Sequence, residues 1–127
     1  MLTGKNRHNI FLLLLLIASV IACKSPIAYK NLRKIELDTT HIDAHGLNYG
    51  EAPVDYEFCI PALATSEKRI LSIEPKTRIL KLSKGRVGCS DRQWLCIVTT
   101  HDDQWRKKLY SIASLSYVNR IIATYYE

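Results

Sequence analysis

No stretch of this chain is both long and apolar enough to cross a bilayer. Its greasiest run, residues 10–22, covers 13 positions broken only by Ser19, whereas a spanning helix needs about 20. The short motifs of common chemistries are missing too: there is no C-x-x-C, G-x-S-x-G, P-loop, H-E-x-x-H or paired-glutamate arrangement. Hydrolase, nucleotide-binding and metalloprotease readings therefore have no anchor in the sequence. Nor is there an aromatic-basic RNA-binding signature, an internal repeat or a low-complexity segment, so nucleic acid is not an expected partner. Acidic residues are absent ahead of the greasy run, where Lys5 and Arg7 lie.

That last absence turns into a signal. A charged n-region, an apolar h-region with five consecutive leucines (residues 12–16) and a small residue, Ala22, follow one another in the order of a secretory leader. Five leucines in a row leave no polar face for a globular helix to show to water. The next letters, Val20-Ile21-Ala22-Cys23, resemble a bacterial lipobox, after which a lipoprotein signal peptidase cuts and the cysteine is acylated. The resemblance covers residues 1–23 alone. It implies lipidation at Cys23, an anchor of acyl chains, and, with Lys24 in place of a retention aspartate, an outer-membrane lipoprotein facing the periplasm of a Gram-negative cell envelope. Two or more chains hold stably, at about 0.8 kcal/mol per buried methylene.

The expected organisation is a signal peptide (1–22), a lipidated tether (23–53) and one small α+β domain (54–127). Cleavage leaves 105 residues, enough for one domain. Of 18 basic residues the leader takes 2, leaving 16 against 12 acidic ones, a net charge of +4. Spread along the chain, this suits solubility or loose attraction to anionic surfaces. In the tether, Pro26, Gly46, Gly50 and Pro53 punctuate a stretch with few clustered apolar residues, apart from Ile35 and Leu37, which could dock as one short strand.

From Val54 onward the periodicities sharpen. "VDYEFCIP" alternates as a half-buried strand, stopped at Pro61. "ALATSEKRILSIEP" reads as a helix ended by Pro75. "TRILKLSKG" reads as a charged edge strand with Leu80 and Leu82 inward, and "KGRVGCSDRQ" as a loop. "WLCIVTT" has the near-continuous apolar character of a central strand. Trp105, Leu109, Ile112 and Ala113 share one face of an amphipathic helix. The tyrosine-rich "YVNRIIATYYE" closes as a last strand. Strand, helix, strand, strand, helix, strand predicts a ferredoxin-like split β-α-β-β-α-β arrangement: a four-stranded antiparallel sheet, first and third strands central, both helices on one face.

Chemistry has few places to sit. With Cys23 acylated, the default is one disulfide and one thiol; Cys89 with Cys96 is the favoured pair because they flank the turn "SDRQ", leaving Cys59 free. In "TTHDD", Thr100 and Asp103 fit a helix capping box, with His101 and Asp102 a weak alternative as metal ligands or an acid-base pair. His41 and His45 in "HIDAH" have helical metal spacing, opposed by Gly46. No cofactor and no catalytic residue is expected. The leading reading is a lipid-tethered, non-catalytic interaction module of inhibitor, immunity or assembly type, docking an envelope protein through Asp55, Glu57 and Trp94 on the helix-free face. The alternative is a metal or thiol-redox site built from Cys59, Cys89, Cys96 and His101. Tyr117, Tyr125 and Tyr126 read as the two faces of the closing strand, with a sticky interface patch as the other reading.

Overall fold

The structure, a computed structural model, describes residues 29–126. The leader, Cys23 and the start of the expected tether lie outside the described residues. In chain order the elements are α1 (Tyr29–Leu32), β1 (Leu47–Asn48), β2 (Ala52–Pro53), β3 (Asp55–Pro61), α2 (Ala64–Ile73), β4 (Arg78–Leu80), β5 (Gln93–Thr99), α3 (Trp105–Ala113) and β6 (Ile122–Ala123). The fold is mixed α+β. Its four-stranded antiparallel sheet runs β4-β5-β3-β6, and a separate two-stranded hairpin pairs β1 with β2. The two most apolar segments, β3 and β5, are thus the inner pair, aligned over their full length from Asp55↔Thr99 to Pro61↔Gln93.

Strand alternation sets the two faces of the sheet. Tyr56, Phe58 and Ile60 face the helices, opposite Val98, Cys96 and Trp94. They form the main core with Ile70 of α2 and with Trp105, Leu109, Ile112 and Ala113 of α3. All four stripe residues of α3 are buried, as its 3.6-residue spacing predicts. Burying each of the larger ones fully is worth on the order of 2 kcal/mol, so packing, not capping, holds α3. The expected capping box does not form. Gln104 stands at the N-cap without a side-chain bond, Thr100 turns inward, and Asp102 instead accepts from the Gln104 amide at 2.6 Å. At the other helix, Glu74 closes α2 through its amide to the Ile70 carbonyl, and Pro75 prevents continuation.

The opposite face carries Glu57, Cys59, Leu95 and Ile97, covered by the loop over residues 81–92. A disulfide joins Cys59 to Cys89, with Cα atoms 5.5 Å apart, and Cys96 is the free, buried thiol. The favoured Cys89–Cys96 pairing is therefore corrected. Cys96 pairs across from Phe58 and so points to the helix face, while Cys59 points to the loop side. Two cysteines close in sequence lie on opposite sides of the sheet.

Two further expectations are corrected. In β4 it is Ile79 that packs on the core, opposite Cys96, whereas Leu80 is half-exposed and Leu82 wholly exposed; the strand is short and its alternation runs in the opposite phase. The expected tether is largely folded. Leu37 and Ile42 are buried in the main core, and Ile35 bridges Ile121 in parallel. That bridge carries a backbone bond from Glu36 N–H to the Ile121 carbonyl and another from Ile121 N–H to Lys34. The closing strand shrinks to two residues, flanked by the buried Val118 and Ile121.

Candidate functional site

Most of the polar residues that stand out in the sequence converge at one corner, where β5 leads into α3 and the segment over residues 41–53 folds against it. Gly46 is buried with φ +82°, and a side chain there would place its Cβ 1.5 Å from the Thr100 carbonyl oxygen. Only glycine fits. The close approach lets the Thr100 hydroxyl donate to the Gly46 carbonyl at 2.6 Å while accepting from the Val54 amide at 2.9 Å. Trp105 adds an indole N–H bond to the Asp43 carbonyl at 2.8 Å. The Asp43 carboxylate accepts from the His45 and Leu47 amides. The Leu47 bond is the main reason its carboxyl is held below the ordinary range.

The histidines are peripheral to this corner. His45 Nδ1 lies 2.7 Å from Asp103 Oδ1, an exposed pair whose hydrogen bond raises the imidazole pKa. His41 stacks on Tyr49 at 4.3 Å, and His101 is exposed. Neither "HIDAH" nor "TTHDD" gathers ligands. Among the described residues no group of three or more His, Cys, Asp or Glu side chains is placed to hold a metal ion.

A partly buried ionic triad lies behind the same corner. Lys108 Nζ donates to Glu74 Oε2 at 2.6 Å and to Asp102 Oδ2 at 2.5 Å. Glu74 is only 4% exposed, and its other oxygen accepts from the Lys76 amide. The bond to Lys108 pulls the Asp102 carboxyl below its usual range. For Lys108, burial works against the charged form, but the bonds and charges of Asp102 and Glu74 outweigh it and raise the ammonium pKa. The Tyr56 hydroxyl is buried without a partner among the described residues. Burial first, then the charges of Glu74 and Asp102, push its pKa up. The arrangement fixes α2 to α3 electrostatically. Lys108 bonds both carboxylates, so neither stands unpaired.

The loop-covered face resolves the interaction-surface candidates differently from expectation. Glu57 is 2% exposed: Oε1 accepts from the Val87 amide at 2.7 Å and Oε2 from the Thr124 hydroxyl at 3.1 Å. It anchors the loop and cannot meet a partner. Trp94 lies on the helix face, with Lys81 4.1 Å above its ring. Asp55 is the one of the three that reaches the surface in a polar cluster. It accepts from the Tyr126 hydroxyl at 2.6 Å and from Arg78, which also bonds Tyr126. That first bond raises the Tyr126 pKa.

The redox candidates do not assemble either. Cys59 and Cys89 are consumed by their disulfide, and Cys96 is sealed on the other side of the sheet. Burial, with the charge of Glu67 second, pushes its thiol up to about 12, so it is not a nucleophile at neutral pH.

The rim around β6 is accessible. Tyr125 and Tyr126 are 68% and 65% exposed. Arg86 sits 5.9 Å over the Tyr125 ring, and Arg78 the same distance over Tyr126. Beside them an open cleft of about 410 Å³ is lined by Leu37, Asp38, Arg120, Ile122 and Tyr125. Arg120 is held there by a two-pronged bond to Glu36 at 2.8 and 2.9 Å. Tyr117 is separate, its hydroxyl buried. The sequence singles out the tyrosines but not Arg78 or Arg86 as their companions, because Arg78 meets Tyr126 and Arg86 meets Tyr125 only through the tertiary fold. No protein-family model, curated protein or solved structure matches this chain.

Proposed function

We propose that the protein is a lipid-anchored cell-envelope component that acts as a non-catalytic interaction module, with its contact surface at the β6 rim. The observation that carries this reading is the exposed pair Tyr125 and Tyr126, each braced by an arginine. Tyrosine and arginine are among the side chains that interfaces favour, because they combine large contact area with polar reach. The Cys59–Cys89 bond supports the export half of the proposal, since structural disulfides persist in oxidising compartments. Lys24 favours the outer membrane as destination. In fold terms the order β4-β5-β3-β6, with helices linking β3 to β4 and β5 to β6, favours the ferredoxin-like reading, to which α1 and the β1-β2 hairpin are additions.

The test has two parts. Intact-mass analysis of the chain purified from envelopes is expected to show cleavage before Cys23 and acylation on it; Met1 retained on an unmodified chain rejects the envelope reading. Cross-linking in the intact envelope is then expected to give a discrete adduct that the Tyr125→Ala/Tyr126→Ala variant loses while Leu82→Ala keeps it. Equal adducts from both variants would reject the β6 rim as the contact.

A further inference from the structure

The folding of residues 30–53 onto the domain changes what the anchor can do. From Cys23 to the first residue of α1 there are six Cα steps, which reach at most about 20 Å when fully extended. A lipid on Cys23 therefore keeps α1 within about 20 Å of the anchored residue, close enough for its charges to meet the headgroups.

Charge at that point is concentrated, not spread. Between Cys23 and Ile35 the sequence carries Lys24, Lys30, Arg33 and Lys34 and no acidic residue. Lys30 on α1 and Arg33 in the turn just after it are exposed. Lys34 is pinned beside them, its Nζ donating to the Leu115 carbonyl at 3.0 Å, which ties α1 to the end of α3. The first carboxylate along the chain, Glu36, is taken up by Arg120. The Lys34 pKa is lowered, by burial first and by the charge of Lys30 second, consistent with cations gathered on one side.

From this geometry we infer that α1, with Lys30 and Arg33 foremost, is a membrane-apposed surface that docks the domain on an anionic phospholipid bilayer in a fixed orientation. The inference rests on the anchoring at Cys23 proposed above. A basic cluster next to a lipid anchor gains about five-fold in docked population per cation near an anionic surface, and the gain is screened by salt. Because two or more acyl chains already hold the protein on the bilayer, the cations would set its orientation there and not its attachment.

The experiment uses the full chain as processed and purified from membranes. Intact mass first reports the state of Cys23. The protein is then placed in nanodiscs of phosphatidylcholine, alone or with phosphatidylglycerol, doped with a gadolinium-chelating headgroup lipid, and amide broadening is mapped by NMR. With acylated Cys23, broadening is expected to centre on residues 30–34 and 114–116 in the anionic discs. It should weaken several-fold at 0.5 M salt, in phosphatidylcholine alone, and in Lys30→Gln/Arg33→Gln, whose otherwise unchanged amide spectrum would show it folded. Acylated Cys23 with broadening equal on all faces, centred elsewhere, or indifferent to lipid charge and salt overturns the docking surface while leaving the anchor intact. An unacylated Cys23 overturns the anchor and the docking together. The salt arm needs no variant, so a misfolded double variant would not spare the inference.

Discussion

Single residues decide more here by shape and pairing than by reactivity. Gly46 and Gly50 both have positive φ, yet a Cβ at Gly46 meets the Thr100 carbonyl at 1.5 Å and one at Gly50 meets nothing within 4 Å. Gly46→Ala should therefore cost on the order of 3 kcal/mol or more, and Gly50→Ala only the roughly 1–2 kcal/mol of left-handed backbone strain. Urea midpoints compare them directly, and equal losses would show that the corner is looser than described. Lys108 makes a parallel case for charge. Removing it as Lys108→Met strands Glu74, whose side chain is 6% exposed, and breaking such a pair costs about 3–5 kcal/mol. The pH dependence has a definite sign. Asp102 has a depressed pKa, so its contribution is complete above the ordinary aspartate range and is lost as pH falls below about 4. Lys108 has a raised pKa, so its contribution is complete below 10.5 and is lost as pH rises through the folded value above that. The wild-type melting temperature should fall at both ends, and Lys108→Met should flatten both limbs.

At the scale of elements, legibility followed the strength of periodicity. The α3 stripe and the inner strands β3 and β5 were readable because each keeps its pattern over seven or more residues, and the helix from Ala64 to Ile73 only through its helix formers and the stop at Pro75. The three-residue β4 and two-residue β6 were not, because so few positions cannot fix a phase. The cysteine pairing failed for a related reason. Loop length favours Cys89 with Cys96, but side-chain alternation in β5 sends Cys96 to the helix face, and the loop carrying Cys89 crosses the other. Alternation alone excludes only Cys59 with Cys96, which fall on opposite faces once β3 and β5 are in register; the side on which the Cys89 loop crosses is set by tertiary packing. The observed bond closes a separation of 30 residues, for which chain entropy predicts about 3–4 kcal/mol. Cys59→Ser/Cys89→Ser should lose roughly that in urea titration and should leave Val87 and Glu57 without a fixed loop. In the wild type, a thiol reagent should find Cys96 only after denaturation. Its reaction in the native state at neutral pH would contradict both its burial and its raised pKa.

On the scale of the whole molecule, the boundary of the folded unit matters most. A start at Val54 is natural because the strong patterns begin there, whereas Ile35 and Leu37 alternate over only two positions and Ile42 is a single apolar residue in polar surroundings. The burial of Leu37 and Ile42 is a tertiary effect: each drops into the core from a segment held by isolated bridges, turns and the Gly46–Thr100 contact. The α+β class was therefore legible while the extent of the domain was not. A chain reduced to residues 54–127 would lose Leu37 and Ile42, the indole partner of Trp105 at Asp43, and the Gly46 acceptor of Thr100. Leu→Ala and Ile→Ala changes at such sites cost about 2–5 kcal/mol each, and total stability for a domain of this size is about 5–15 kcal/mol. The truncated chain should thus lack a cooperative unfolding transition and a fixed near-ultraviolet signal from Trp105. Leu37→Ala in the full chain should remain folded with a lower midpoint. Hydrogen exchange supplies the complementary check. The amides of Glu36, Tyr49 and Ile121, bonded to Ile121, His41 and Lys34, should be protected well beyond free-chain rates. If residues 36–53 instead exchange as an open coil and the truncated chain melts cooperatively, the tether is real, the domain begins at Val54, and the short reach from Cys23 to α1 no longer constrains the membrane contact.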